Sequence, residues 1–453
     1  MTSASDASWL LVCLFAVPLL AAGCSTSGPR FRVPEGAVLR GDPVDVGVEG
    51  LAPGERVSIA AAGVDQLGGR WSSQAAFVAR QDGTVDLSRD APISGSYVGA
   101  SREGLFWSMA LAPDAKVQTP MVSVDEVVLT LADTSGAERA RATIAFTDRV
   151  EVTEVELDGA LRGSLFVPRG AAPRRAVVVL GGSEGGSRAD LAARLASRLR
   201  VPALALAYFR VPGSPLPDAL QEVPLEYFAG ALDWLDHRPE VTPGGPVLLG
   251  VSRGAELALL LASTWPGRIR GVVANVPSHV VWPGEGAAEG APAWTLGGRA
   301  VPFVPIAMTE AQAEAYGRAM QTKAPYAFRD VYAGSLATAP RETVDAAAIP
   351  VERIGGPVLL LGSGMDGVWP SDVFATAIAS RLSSSGFPFA ATLLVYPASG
   401  HLLQDGYQPT TLTHTVAPGN PVVLDLGGTP AGTAAANAES WPKVLDFLDA
   451  ALR

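Results

Sequence analysis

Val247–Ser263 reads VLLGVSRGAELALLLAS: a short apolar run, a turn through Gly250-Val251-Ser252-Arg253-Gly254, and a second apolar run of strong helix formers. Gly-x-Ser-x-Gly between a buried strand and a helix is the signature of a serine held on a sharp turn, its hydroxyl presented at the end of a sheet. A second match, Gly181–Gly185, lies in AVVVLGGSEGGSRADLAARLASRL (176–199), also between a strand-like and a helix-like run. The two turns call for different roles.

Working outward, continuously apolar runs alternate with helix-like ones: RAVVVLGG, DLAARLASRL, VPALALAYF, LEYFAGALDWLDH, GPVLLGVS, GAELALLLAS and IRGVVANVP, later GPVLLLGSGMD, VFATAIASRLSSSG, FAATLLVYP and a closing helix ESWPKVLDFLDAALR. Apolar strands alternating with helices imply a mostly parallel sheet covered on both faces. This α/β region is expected over 158–453. Residues 280–345 break the alternation: they show no clear strand and one helical segment, EAQAEAYGRAM, and are expected to form a lid or cap-like insertion. Upstream, DPVDVGVEGL alternates valine with polar residues, VVLTLAD and ATIAFTD also read as strands, and APGE, QDGT and DTSG mark turns. Short strands at that spacing predict an all-β sandwich over 35–157.

A chain of 453 residues with 48% hydrophobic content buries a large core in two or more domains. A net charge of −11 without a Lys/Arg cluster argues against nucleic acid as a partner. The two cysteines are Cys13 and Cys24, and an apolar run of fifteen residues, Trp9–Gly23 (WLLVCLFAVPLLAAG), contains the first and leads directly to the second. That run is too short for a bilayer span of about 20 residues and suits a secretory leader. Leu20-Ala21-Ala22-Gly23-Cys24 resembles a bacterial lipobox, which predicts a signal peptide over 1–23, lipidation of Cys24 with a membrane anchor through that lipid, and a linker over 24–34. The n-region carries Asp6 and no Lys or Arg, and the alternative is a cytoplasmic chain with an apolar terminus.

A serine hydroxyl needs a base to take its proton, and the base needs a carboxylate to orient it. After Ser252, Asp366 ends the strand-like PVLLLGSGMD and His401 follows ATLLVYP in ASGHLL. Serine, acid and histidine in that order, at strand ends, is the chain order of α/β-hydrolases. The other histidines fit less well: His237 ends a helix, where a cap or surface role is expected, His279 precedes any acid candidate, and His414 lies in an irregular stretch. Asp372 is expected to open the next helix. Ser183 sits after the first α/β-type strand, so its turn is read as the other half of the site: the backbone N–H groups of Ser183 and Glu184, with that of Arg253, forming an oxyanion hole. No metal or cofactor is called for; GGSEGG has neither the G-x-G-x-x-G spacing nor the Lys-Ser/Thr ending of phosphate loops.

PLEYFAGALDWLDHRPEV, LLGVSRGAELALLLAS, IPVERIGGPVLLLGSGMDGVWPS and LLVYPASGHL together resemble the acyl-CoA thioesterase and bile acid-CoA:amino acid N-acyltransferase family, more weakly also at GLFWSM. The resemblance implies an N-terminal Ig-like sandwich before an α/β-hydrolase domain, and a Ser252–Asp366–His401 triad acting on an acyl thioester. Serine rather than cysteine at the turn favours hydrolysis over transfer to an amine. Glu184 departs from the glycine expected there. For an exported chain the alternatives are a carboxylesterase or lipid esterase, or an acyltransferase to an amine or alcohol, at the cell envelope; the non-enzyme alternative is a decayed binding lipoprotein.

Overall fold

The computed structural model describes Met1 and residues 28–116, 118–119, 122–286, 290–403, 407–416 and 422–453. Apart from Met1, the expected signal peptide, together with Cys24 and its expected lipidation, lies outside the described residues. No helix among the described residues is long and apolar enough to cross a membrane.

Up to Thr147 the regular structure is almost all strand. Arg56–Asp65 and Arg70–Val78 form a hairpin, extended through Val124–Ala132 and Glu138–Thr147 into a larger antiparallel sheet. Along the hairpin burial alternates, sending Val57, Ile59 and Ala61 inward opposite Trp71, Ala75 and Phe77. A small sheet of Arg30–Arg32, Gly47–Glu49 and Val85–Asp86 shares the same core through Val48 and Val85.

The second region is an eight-stranded sheet. Its strands are β1 (Val152–Glu156), β2 (Arg162–Pro168), β3 (Val177–Leu180), β4 (Ala203–Ala207), β5 (Val247–Val251), β6 (Gly271–Asn275), β7 (Val358–Ser363) and β8 (Ala391–Tyr396). Their order is β1-β2-β4-β3-β5-β6-β7-β8, with β1–β2 and β2–β4 antiparallel and the rest parallel. Helices α2 (Leu225–Asp236), α3 (Arg253–Thr264) and α4 (Ser371–Ser384) cover one face, and α1 (Ala189–Leu199) and α5 (Pro430–Ala451) the other. Helix α3 is buried from Arg253 to Ser263, which accounts for its apolar character on all sides.

Three features correct the expectations from sequence. Residues 152–156, assigned above to the sandwich, pair with β2 as the edge of the α/β sheet; an alternating strand with one exposed face reads alike in either setting. The 280–345 stretch holds a hairpin, Trp294–Leu296 with Arg299–Ala300, and helices Glu310–Thr322, Arg329–Thr338 and Arg341–Ala347. The segment after His401 is anchored in the all-β region: Tyr407 joins that core, and its hydroxyl accepts a hydrogen bond from Val44 N at 2.5 Å. Thr410 N donates to Trp107 O at 3.0 Å and Val416 N to Gln118 O at 2.9 Å. Residues on the carboxyl side of His401 therefore tie the two regions together.

Candidate active site

Strand β5 delivers its chain to Ser252, whose backbone adopts φ 56°, ψ −121°. That conformation is costly for a residue with a Cβ, of order 1–3 kcal/mol, and the flanking glycines make it possible. A Cβ on Gly250 would meet Gly254 O at 2.1 Å, and one on Gly254 would meet Gly181 O at 2.2 Å. The two glycines let α3 start directly over the end of β5 and against the loop after β3.

His401 lies in the loop after β8, fixed by its own N–H to Leu426 O at 2.8 Å. Its Nε2 is 2.9 Å from Ser252 Oγ, and its Nδ1 is 2.9 Å from both oxygens of Asp366. The Asp366 carboxylate is an acceptor, so Nδ1 carries the proton and donates; Nε2 is then bare and accepts from the Ser252 hydroxyl. Asp366 is fully buried. It also accepts from Ser371 Oγ at 2.6 Å, Val368 N at 2.9 Å and Trp369 N at 3.2 Å. Four donors supply what water would otherwise give a buried charge. The Trp369 ring stands edge-on to the imidazole, centroids 5.9 Å apart, and fixes its plane. The structure thus brings together the three side chains singled out from sequence. Asp372 instead pairs with Arg329 at 2.8 Å in the first turn of α4.

The glycine-rich loop after β3 lies against Ser252: a Cβ on Gly182 would sit 3.2 Å from that of the serine. Its carbonyls are occupied, Gly181 O by the Tyr208 hydroxyl at 2.5 Å and Ser183 O by Arg210 at 3.2 Å. Among the described residues the N–H groups of Ser183 and Glu184 have no acceptor. Arg253, as first residue of α3, has an N–H with no intrahelical partner. The Glu184 carboxylate folds back over the loop, its oxygens 2.9 Å from where Cβ atoms on Gly181 and Gly182 would lie.

The Arg253 side chain points into the protein, pairing with Glu256 at 3.0 Å and donating to the carbonyls of Trp282 and Pro283. Glu256 also accepts from Trp294 Nε1 at 2.9 Å, and Glu285 accepts from Ser183 Oγ at 2.8 Å. Burial raises the Glu256 carboxyl above the usual carboxylate range, against the pull of Arg253. The 280–345 stretch thereby braces both proposed halves of the oxyanion hole from behind. Sequence reasoning missed this network; its one signal was Glu256, a lone acid in an otherwise apolar helix. Arg188 is held by Asp190, and Arg210 lies over the Phe209 ring.

The other histidines are elsewhere. His237 caps α2, its Nδ1 donating to Asp233 O at 2.7 Å, and His414 meets the Gln118 side chain. His279 packs on Phe374, ring centroids 5.0 Å apart, its Nδ1 buried and without a partner among the described residues. Burial, with Arg381 nearby, lowers its pKa to about 4. An unfolded histidine, pKa about 6.5, takes up a proton that the folded one refuses, so this group's stabilisation is complete above pH 6.5 and lost as pH falls towards 4. The loss should reach roughly 2 kcal/mol, given the ring's partial exposure. Denaturant melts of wild type and His279→Phe at pH 7.5 and 4.5 check it; equal losses in the two proteins would refute the assignment.

Residues 223–453 match the family model described as BAAT/acyl-CoA thioester hydrolase C terminal, and 41–155 that described as acyl-CoA thioester hydrolase/BAAT N-terminal region. Acyl-coenzyme A thioesterase 1 of Homo sapiens is 30% identical over 433 residues, covering 91% of this chain and 94% of its own. Mitochondrial acyl-coenzyme A thioesterase 2 of Mus musculus is 29% identical over 457 residues, covering 96% and 93%. With two models in chain order and relatives aligned over more than nine-tenths of both chains, the chain belongs to the acyl-CoA thioester hydrolase/BAAT family.

Proposed function

We propose that the protein is a serine hydrolase of acyl thioesters. Ser252 Oγ attacks the thioester carbonyl carbon while His401 Nε2 takes its proton, and Asp366 holds the imidazole in the required tautomer and stabilises the imidazolium. The tetrahedral oxyanion is received by the N–H groups of Arg253 and of Ser183 and Glu184. His401 returns the proton to the departing thiolate as the C–S bond breaks, leaving an acyl ester on Ser252. Water, deprotonated by the same nitrogen, then releases the free acid and regenerates the serine. The observation that carries this reading is the unbroken Ser252–His401–Asp366 hydrogen-bond chain, each link 2.9 Å. The thioester as substrate is supported by the family and by the names of the relatives above. The two sheets over one core support an Ig-like class for the all-β region.

A second reading is favoured by the Leu20–Cys24 stretch: on an exported chain the substrate is an oxygen ester of the cell envelope. Both are tested by giving purified protein matched acyl-CoA, p-nitrophenyl ester and glycerolipid substrates of one chain length. A kcat/KM at least tenfold higher for the thioester is expected; a preference for the glycerolipid would replace the first reading with the second. Glycine, taurine and an alcohol, added as competing acceptors, are expected to leave free acid as the product.

A further inference from the structure

Strand β6 is apolar until its last residue: Gly271-Val272-Val273-Ala274 is followed by Asn275, a side chain depleted in strands. Two of the loops that carry the proposed triad meet there. At the neighbouring end of β5, the Asn275 carbonyl accepts the Ser252 N–H at 2.9 Å. The Asn275 side chain donates Nδ2 to Leu403 O at 2.8 Å, two residues beyond His401.

The His401 loop needs such a tie. On its amino side Gly400 N donates to Thr433 Oγ1 at 3.2 Å and His401 N to Leu426 O at 2.8 Å. On its carboxyl side Leu402 and Leu403 border a cavity of about 290 Å³, so packing there is incomplete and van der Waals contact alone holds the loop less firmly.

The next residue stores strain at the same spot. Val276 is fully buried, yet its φ is 45°, a region that a β-branched residue rarely enters. Such strain persists where the surroundings over-determine it, and it clusters at functional sites. Val276 N donates to Leu361 O at 2.8 Å, and its carbonyl accepts from Trp369 Nε1 at 3.1 Å. Trp369 is the residue whose ring stands against the His401 imidazole and whose N–H reaches Asp366. Within two residues, the end of β6 is therefore tied to the serine, histidine and acid loops.

The amide also carries a penalty. Asn275 Oδ1 is buried with no donor among the described residues. An apolar side chain of the same shape would remove that unsatisfied oxygen, so packing does not account for an amide here. The Nδ2 tie does.

We infer that Asn275 is a positioning residue of the proposed triad: its carbonyl holds the Ser252 turn, its side-chain amide holds the His401 loop, and together they set the gap across which the serine proton passes. The inference rests on the serine-hydrolase reading.

Labelling the full-length protein with a fluorophosphonate probe tests it without a choice of acyl substrate. In Asn275→Leu, which keeps the shape and cannot donate, the limiting rate of labelling is expected to fall about 10- to 100-fold, the cost of displacing a reacting pair by about 1 Å. The probe concentration giving half that rate should stay within about twofold, and labelling should still run to completion. The thermal midpoint should stay within a few degrees of wild type, since the variant loses one hydrogen bond and sheds one unsatisfied acceptor. A merely structural asparagine behaves differently. Its replacement lowers the midpoint and the fraction labelled at completion while the folded fraction reacts at the wild-type rate, and that result overturns the inference. A limiting rate within twofold of wild type does the same. Asn275→Ala removes the same donor without adding bulk and carries the test if the leucine variant does not fold. A wild type that takes no label removes the serine-hydrolase reading and the inference with it, whereas a labelled wild type with unaffected variants removes the inference alone.

Discussion

Ser252→Ala is expected to lower kcat on the order of 10⁵- to 10⁶-fold and to abolish covalent labelling by a fluorophosphonate probe. Alanine keeps the Cβ that faces Gly182, so the turn and the start of α3 persist and the loss reports chemistry alone. Ser252→Gly sharpens the point. The backbone at φ 56°, ψ −121° suits glycine, so that variant sheds strain of about 1–3 kcal/mol. The greater freedom of glycine in the unfolded chain takes back roughly 0.5–1 kcal/mol. A net gain near 1 kcal/mol in a dead enzyme is therefore expected: the serine is kept at the turn at the expense of stability. Retention of labelling in both variants would move the nucleophile elsewhere, and Ser183 would be the first candidate.

The parts of this architecture legible in the sequence are those written in local pattern. The apolar runs at Val177–Leu180, Val247–Val251 and Val358–Ser363 are buried along almost their whole length, as parallel strands covered on both faces must be. Ser252, Asp366 and His401 were legible because a strand-end position and a chain order are one-dimensional facts. What stayed hidden depends on contacts between distant residues. Helix Arg329–Thr338 has only Val331 and Ser335 buried, too few apolar positions for a periodic signal; it is held through Tyr332, which packs on Trp282 and Trp369. Tyr407 gives no sign in sequence that it belongs to a core formed by residues of the distant all-β region, from Val44 to Phe146. The pattern around Ser252 marks the Arg253 N–H as a candidate donor but does not tell where its side chain runs, and only the fold shows it turned inward to Glu256.

Asp366→Asn should cut kcat by about 10⁴-fold with KM changed only a few-fold, because it reverses a proton rather than removing a shape. The backbone N–H groups of Val368 and Trp369 both point at Oδ1 and demand an oxygen there. Asparagine must then place its NH₂ where Oδ2 was, beside Ser371 Oγ and His401 Nδ1. The serine hydroxyl can rotate to accept, whereas the imidazole, although Oδ1 stays 2.9 Å from Nδ1, now has an NH₂ at the same distance that repels a proton on Nδ1, and moving that proton to Nε2 relieves the clash. That nitrogen then faces Ser252 Oγ as a donor and cannot receive the proton that attack releases. Fluorophosphonate labelling should slow in parallel, since it needs the same proton transfer, while thermal unfolding stays close to wild type because the hydrogen bonds are exchanged rather than lost. A tenfold or smaller drop in kcat would place the orienting acid elsewhere. Asp372 is then the nearest carboxylate on α4, and it would have to be released from Arg329, 2.8 Å away, before it could serve.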